Sequence, residues 1–254
     1  MKDVQKEKDL RNIPLKNVGI EDLKWPIVVS DKKNGNQHTI ADISVSVDLP
    51  HHTRGTHMSR FVECLQGLDV INYKNLEIIL DELKEKLEAE TSNLNMKFTY
   101  FINKKAPVSE IEAPISMECS IKAKKSENLD LKLKVKVPVH TLCPCSKEIS
   151  ENGAHNQRAI ITMEVDANKK IWIEDLVYIA EKSSSVPIYS LLKRVDEKWV
   201  TEKAYENPRF VEDVAREVAV RLEKNDMINW YKVQVKSIES IHNHNAFATV
   251  EKGW

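Results

Sequence analysis

No run of about 18 apolar residues occurs anywhere in the 254-residue chain, so no membrane-spanning helix is expected. The opening stretch, MKDVQKEKDLRN, lacks the apolar segment of a secretory leader. An excess of charge is missing as well. The 38 basic residues are balanced by 39 acidic ones, for a net charge of −1, which excludes the global basic character of a nucleic-acid binder. There are only four cysteines, at positions 64, 119, 143 and 145. They form no evident disulfide framework, and a cytoplasmic protein with reduced thiols is the simplest expectation. Glycine is scarce at six residues, while charged residues reach 30%, a globular composition. The length allows one large domain or two smaller ones, each able to bury a core.

What is present reads mostly as strands. Residues 39–49 alternate Ile43, Val45, Val47 and Leu49 on one face, the period-two pattern of a half-buried strand. Similar runs cover 95–103, 115–123, 131–137, 159–165, 230–235 and 247–250. In the 115–123 run Met117, Cys119 and Ile121 share a face, which places Cys119 in the core. The 131–137 run sets apolar residues against a row of lysines, as in an antiparallel sheet with one dry and one wet side. Helices are expected over 76–87, capped by Asn75, and over 173–183, with a resumption at 189–194. A further helix is expected from Asn207-Pro208, with Asn207 as N-cap and a stripe of Val211, Val214, Val218 and Leu222. Glu212 lies off that stripe. Residues 1–36, interrupted by Pro14 and Pro26, read as an extended arm ending in a polar turn at 32–36. Modules at 37–140 and 141–254 follow. The fold class expected is α+β, antiparallel sheet with helices on one face.

Two stretches carry chemistry. Cys143-Pro144-Cys145-Ser146-Lys147 places two thiols two residues apart at a turn, with His155-Asn156-Gln157-Arg158 beyond Gly153. Thiolate and imidazole suit a divalent transition metal; they equally suit nucleophilic chemistry. A tetrahedral metal seldom takes two ligands so close on a stiff linker, so one ligand and one catalytic thiol are expected. The other stretch, His51 to Arg60, is dense in histidine and arginine and reads as a loop between strands, suited to an anionic ligand or simply solvated.

Together these residues resemble the prokaryote-specific type IB GTP cyclohydrolase I family. The marks are Arg54-Gly55-Thr56-His57-Met58-Ser59-Arg60, Leu142 to Ser150, Gly153 to Arg158, Lys193 to Glu197, Glu206 to Asp213, and Glu239 to Ala246. The resemblance implies a tunnelling fold, two tandem strand-strand-helix-helix-strand-strand modules assembled as a homotetramer with active sites at subunit interfaces. It implies hydrolysis of GTP to dihydroneopterin triphosphate and formate, at the head of folate, pterin and 7-deazaguanine synthesis. It implies a divalent metal (Zn, Mn or Fe(II)) on Cys143, His155 and Glu197. It makes Cys145 the essential thiol, Glu239 and His242 the proton shuttles, and Glu212 the anchor for guanine. Arg54, Arg60, His51 and His57 are the cations for the triphosphate. GTP is the only partner implied, with neither nucleic acid nor membrane. The nearest alternative is the tunnelling-fold nitrile reductase of queuosine synthesis, which would need NADPH and no such metal set. A zinc-stabilised binding module is a further one, but it would close its metal with four Cys or His ligands.

Overall fold

The computed structural model describes residues 5, 7–167 and 169–252. The elements in order are β1 (Leu15–Asp31), β2 (Gly35–Leu49), α1 (Met58–Leu65), β3 (Val70–Ile71), α2 (Tyr73–Leu87), β4 (Ser92–Lys105) and β5 (Glu112–Lys125). Then come β6 (Leu129–Leu142), α3 (Pro144–Ile149), β7 (Asn156–Ala167), α4 (Ile173–Ser183), β8 (Val186–Pro187), α5 (Arg194–Glu206), α6 (Val211–Glu223), β9 (Ile228–Ser237) and β10 (Ala246–Glu251). The architecture is α+β, with long antiparallel strands and helices against one face. Two compact units divide the chain. One holds the residues up to Thr99 with Ser120–Leu133; the other holds Tyr100–Cys119 and the residues from Lys134 onward.

In the first unit β2 pairs with β1 on one side and β4 on the other, and β3 adds a short parallel pairing at Val28 and Val29. Ala41, Ile43, Val45, Val47 and Leu49 of β2 are buried with Leu94, Met96 and Phe98 of β4. The α2 stripe of Leu76, Ile79, Leu80, Leu83 and Leu87 is buried too, and the Ser92 hydroxyl donates to the Leu80 carbonyl at 2.7 Å. Helix and strand periodicity thus meet in one core. In the second unit β7 and β9 bury Ala159, Ile161, Met163, Val165, Tyr231, Val233 and Val235, and α4 and α6 bury Leu176, Val177, Ala180, Val211, Val214, Val218 and Leu222. Cys119 is in the core, where burial pushes its thiol up to about 12.

Several expectations are corrected. Of the arm expected over residues 1–36, Leu15–Asp31 is a strand, the hairpin partner of β2, while residues 1–4 and 6 lie outside the described residues. Pro26 lies opposite Ile40 and ahead of the short β3, which begins only opposite Val28, so it sits where β1 is still an edge strand. The polar turn is present: the Asp31 carboxylate accepts from the Lys33 and Asn34 amides at 2.8 Å each, and Gly35 has φ +85°. The His51–Arg60 stretch does not simply join strands, since α1 starts at Met58 and buries Phe61, Cys64 and Leu65. α2 begins at Tyr73, three residues before the expected first residue, 76. Asn72 is the cap, and its side chain accepts from the Asn75 amide at 2.8 Å.

No helix resumes at 189–194. Instead α5 runs from Arg194 to Glu206; it buries only Asp196 and Ala204, so its apolar pattern is faint. The final helix starts at Val211, not Pro208, and Asn207 ends α5. The Asp213 carboxylate accepts from the Phe210 amide at 3.0 Å and supplies the turn that begins α6.

Candidate active site

Leu142 ends β6 with both backbone groups engaged outside the ladder. Its N–H donates to the Ser185 hydroxyl at 3.1 Å, and its carbonyl accepts from the Arg209 amide at 3.0 Å. The chain then turns at Cys143, the N-cap of α3, with Pro144 in the first helical position, where a missing N–H costs nothing. The Cys143 thiol accepts from the Ser146 amide at 3.4 Å. Gly153, at φ +77°, reverses the chain after α3 and leads it back to His155. The Cys143 amide donates to the His155 carbonyl at 3.1 Å, and the His155 amide donates to the Ser146 hydroxyl at 3.1 Å. Cys143 and His155 are thereby brought together, with Ser146 bonded to both.

A small apolar cluster lies beside this turn. Leu142, Val186 and Ala204 are buried, and Ala154, Trp199 and Val200 close around them. It packs α5 against the residues immediately before Cys143 and His155. The Lys147 ammonium adds a second tie, donating to the Tyr205 carbonyl at 2.6 Å and lying 4.3 Å from that ring's centroid. The start of α5 is fixed by Asp196, which is fully buried. Its carboxylate accepts from the Val108, Ser109 and Lys193 amides at 2.8–2.9 Å and from the Ser109 hydroxyl at 2.6 Å. Burial alone would raise its pKa. The Ser109 hydroxyl and the three amides outweigh that and hold the carboxyl well below the usual carboxylate range. Its neighbour Glu197 is exposed in the first turn.

The ring of His155 is half-buried. Nδ1 lies 3.0 Å from Gln157 Oε1 and 3.4 Å from the Ser240 hydroxyl. Ser240 belongs to the loop 238–245 between β9 and β10. That loop is closed by the Glu239 amide donating to Asn245 Oδ1 at 3.2 Å and by the Ser237 hydroxyl donating to Glu239 Oε1 at 3.0 Å. Within it the His242 and His244 rings stack at 5.2 Å and 10°. Cys145 and Glu212 are exposed, Glu212 in the first turn of α6.

Of the expected metal donors the fold gathers two. Among the described residues no three His, Cys, Asp or Glu side chains are grouped to hold an ion, so Glu197 does not form such a group with Cys143 and His155. The chemistry of that pair fits a divalent metal. With Gln157 Oε1 as acceptor, Nδ1 carries the hydrogen and Nε2 keeps its lone pair, and a thiol with an imidazole is a donor set of soft sulfur and nitrogen. In the other unit, Arg54 is ion-paired with Glu7, and the Arg60 guanidinium donates to the Lys86 carbonyl at 2.6 Å. His57 is half-buried just before α1, and His51 is exposed. The residues that sequence reasoning passed over are Ser146, Gln157, Ser240 and Asp196. Each lies inside a motif already singled out, yet nothing in its spacing marked it as a hydrogen-bonding partner.

Comparison with known proteins agrees over the whole chain. The family described as type I GTP cyclohydrolase folE2 matches residues 1–248. A GTP cyclohydrolase FolE2 of Dictyoglomus thermophilum is 59% identical over 254 residues, covering 100% of this chain and 99% of that protein. One of Thermotoga maritima is 60% identical, covering 100% and 98%. Among solved structures, the urate oxidase of Bacillus sp. TB-90 superposes with a TM-score of 0.55 at 9% identity, covering 93% of this chain and 99% of that one. The uricase of Arthrobacter globiformis gives 0.51 at 10%, covering 94% and 95%. These two likenesses concern the fold alone.

Proposed function

The chain belongs to the type I GTP cyclohydrolase folE2 family, and from that premise we propose that it is the enzyme converting GTP and water into 7,8-dihydroneopterin triphosphate and formate. The observation that supports this most directly is the backbone bond that joins Cys143 to His155, whose ring meets Gln157 and Ser240, the latter in the loop that carries Glu239 and His242.

The reaction begins with water adding at carbon 8 of guanine. Glu212 offers two carboxylate oxygens to the adjacent N–H donors of the guanine edge and so fixes the ring. Cys143 and His155 would hold a divalent cation, with Glu197 as third donor on the family's pattern. A cation of this kind, when bound, brings the pKa of water toward about 7. Mixed sulfur, nitrogen and oxygen donors suit Zn, Mn and Fe(II) alike. Cys145, exposed one residue beyond Pro144, faces carbon 8. Glu239 and His242 take up and return protons at the purine and the ribose as the five-membered ring opens, formate leaves and the pterin ring closes. Arg54, Arg60 and His57 meet the triphosphate, Arg54 by exchanging the Glu7 carboxylate for phosphate oxygens. A homotetramer with interface active sites, a cytoplasmic location and a place in folate, pterin or 7-deazaguanine synthesis belong to the same reading.

The experiment is turnover of GTP by the purified protein before and after chelation, followed as formate and as pterin fluorescence after oxidation. Activity lost on chelation and restored by Mn(II) or Zn(II) is expected. Full turnover by the chelated protein removes the metal from the reading, and no formate under any condition removes the activity.

A further inference from the structure

His155 is held at three points before any cation arrives. Ser146 takes its amide, Cys143 takes its carbonyl, and Gln157 takes the ring. Gln157 stands two residues further along the chain, at the start of β7, so both side chains project to the same face. Its Oε1 is an acceptor with two lone pairs. One meets Nδ1–H at 3.0 Å and the other meets the Ser240 hydroxyl at 3.5 Å. A ring protonated on Nε2 instead would set the Nδ1 lone pair against that oxygen. The contact therefore selects the tautomer with a free Nε2.

The same oxygen reaches the loop 238–245. Ser240 lies between Glu239 and His242 in sequence, and its hydroxyl touches both Gln157 Oε1 and His155 Nδ1. The loop is also tied by its own Asn245, by Ser237 at its edge and by the Ile238 amide donating to the Arg158 carbonyl at 2.8 Å. We propose that Gln157 is the positioning residue that presets His155 to receive a divalent cation. Through Ser240 it joins cation binding at His155 to the order of the loop that carries Glu239 and His242. A cation on Nε2 draws electron density from the ring and makes Nδ1–H a stronger donor, which tightens the bond to Gln157. By linkage, loss of the Ser240 contact alters what the cation does to the loop. This inference rests on the reading of His155 as a ligand.

The test uses the full chain and Zn(II) alone, with no GTP. Zn(II) affinity is measured by competition with a chromogenic chelator for wild type, Gln157→Ala, Gln157→Glu and Ser240→Ala. Hydrogen exchange of residues 238–245 is followed with and without the ion, and thermal unfolding checks each variant. Gln157→Ala is expected to weaken Zn(II) about 10- to 100-fold. Gln157→Glu, which keeps two acceptor sites, restores binding. Zn(II) slows exchange in the loop of the wild type and fails to do so in Ser240→Ala. Should alanine at 157 unfold the protein, Gln157→Met keeps the length and removes the oxygen. Wild-type Zn(II) affinity in a folded Gln157→Ala or Gln157→Met protein overturns the proposal, as does loop exchange indifferent to Zn(II). A wild type that binds no Zn(II) overturns the ligand reading itself, and this inference with it.

Discussion

Asn207 separates two accounts of one residue. Read in sequence, Asn-Pro ahead of an apolar stripe is a helix N-cap, and at an N-cap aspartate serves as well as asparagine while alanine costs about 1 kcal/mol. In the fold, Asn207 clasps a buried segment. Its Nδ2 donates to the Ser184 and Ser185 carbonyls at 2.9 and 3.1 Å, and its Oδ1 accepts from Arg209 Nε at 3.0 Å. Ser184 and Ser185 are 2% and 3% exposed, so water does not replace the lost donors. Asn207→Ala removes three hydrogen bonds. At roughly 1 kcal/mol net for each, the loss is about 2–3 kcal/mol, a fall in Tm of roughly 4–12 °C for a protein of this size. Asn207→Asp keeps the acceptor for Arg209 but turns the second oxygen, now anionic, toward two carbonyls. It is expected to destabilise at least as much as alanine. Urea unfolding of the three proteins decides between the accounts, with metal content measured alongside because Ser185 and Arg209 of the clasp both bond to Leu142, the residue before Cys143. An Asn207→Asp protein as stable as wild type would refute the clasp and reinstate the cap.

Further outcomes follow from the site. Glu212→Gln is expected to lose GTP turnover by roughly 10- to 100-fold while unfolding like wild type, since an amide turns an N–H toward one guanine donor and leaves a polar pair unmatched at about 1–3 kcal/mol; unchanged kcat/KM would end the anchoring role. Cys145→Ala should bind Zn(II) and fail in catalysis, whereas Cys143→Ala should lose the metal; the reverse pattern in metal analysis would exchange their roles. Asp196 has a depressed pKa in the fold, so its stabilising contribution is complete above the unfolded value of about 4 and fades as pH falls through the folded one. Asp196→Asn should therefore be less stable near neutrality but lose less of its Tm between about pH 5 and pH 3; parallel Tm curves for the two proteins would contradict this.

Strand periodicity and the motifs could be read from the chain because each depends on neighbours in sequence. The alternation through Ile43, Val45 and Val47 fixes which face of β2 is buried, and the stripe from Val211 to Leu222 fixes which face of α6 is. Cysteine and histidine around a Pro-stiffened turn identify donor chemistry wherever the turn is placed. The rest needed partners distant in sequence. β1 is a strand because β2 returns along it, despite Pro26 within it and little apolar alternation. α5 is a helix although few of its residues face a core, since Asp196 is bound by a turn some 87 residues earlier and Trp199 and Ala204 pack beside Leu142. Asn207 looked like a cap because sequence shows only the residues after it, and the two carbonyls it holds lie 22 and 23 residues before. Composition and spacing determined the class of chemistry this protein carries. Which oxygen faces Nδ1 of His155, and which loop shares that oxygen, was decided only when the ends of β7 and β9 were hydrogen-bonded side by side, with the Ile238 amide on the Arg158 carbonyl.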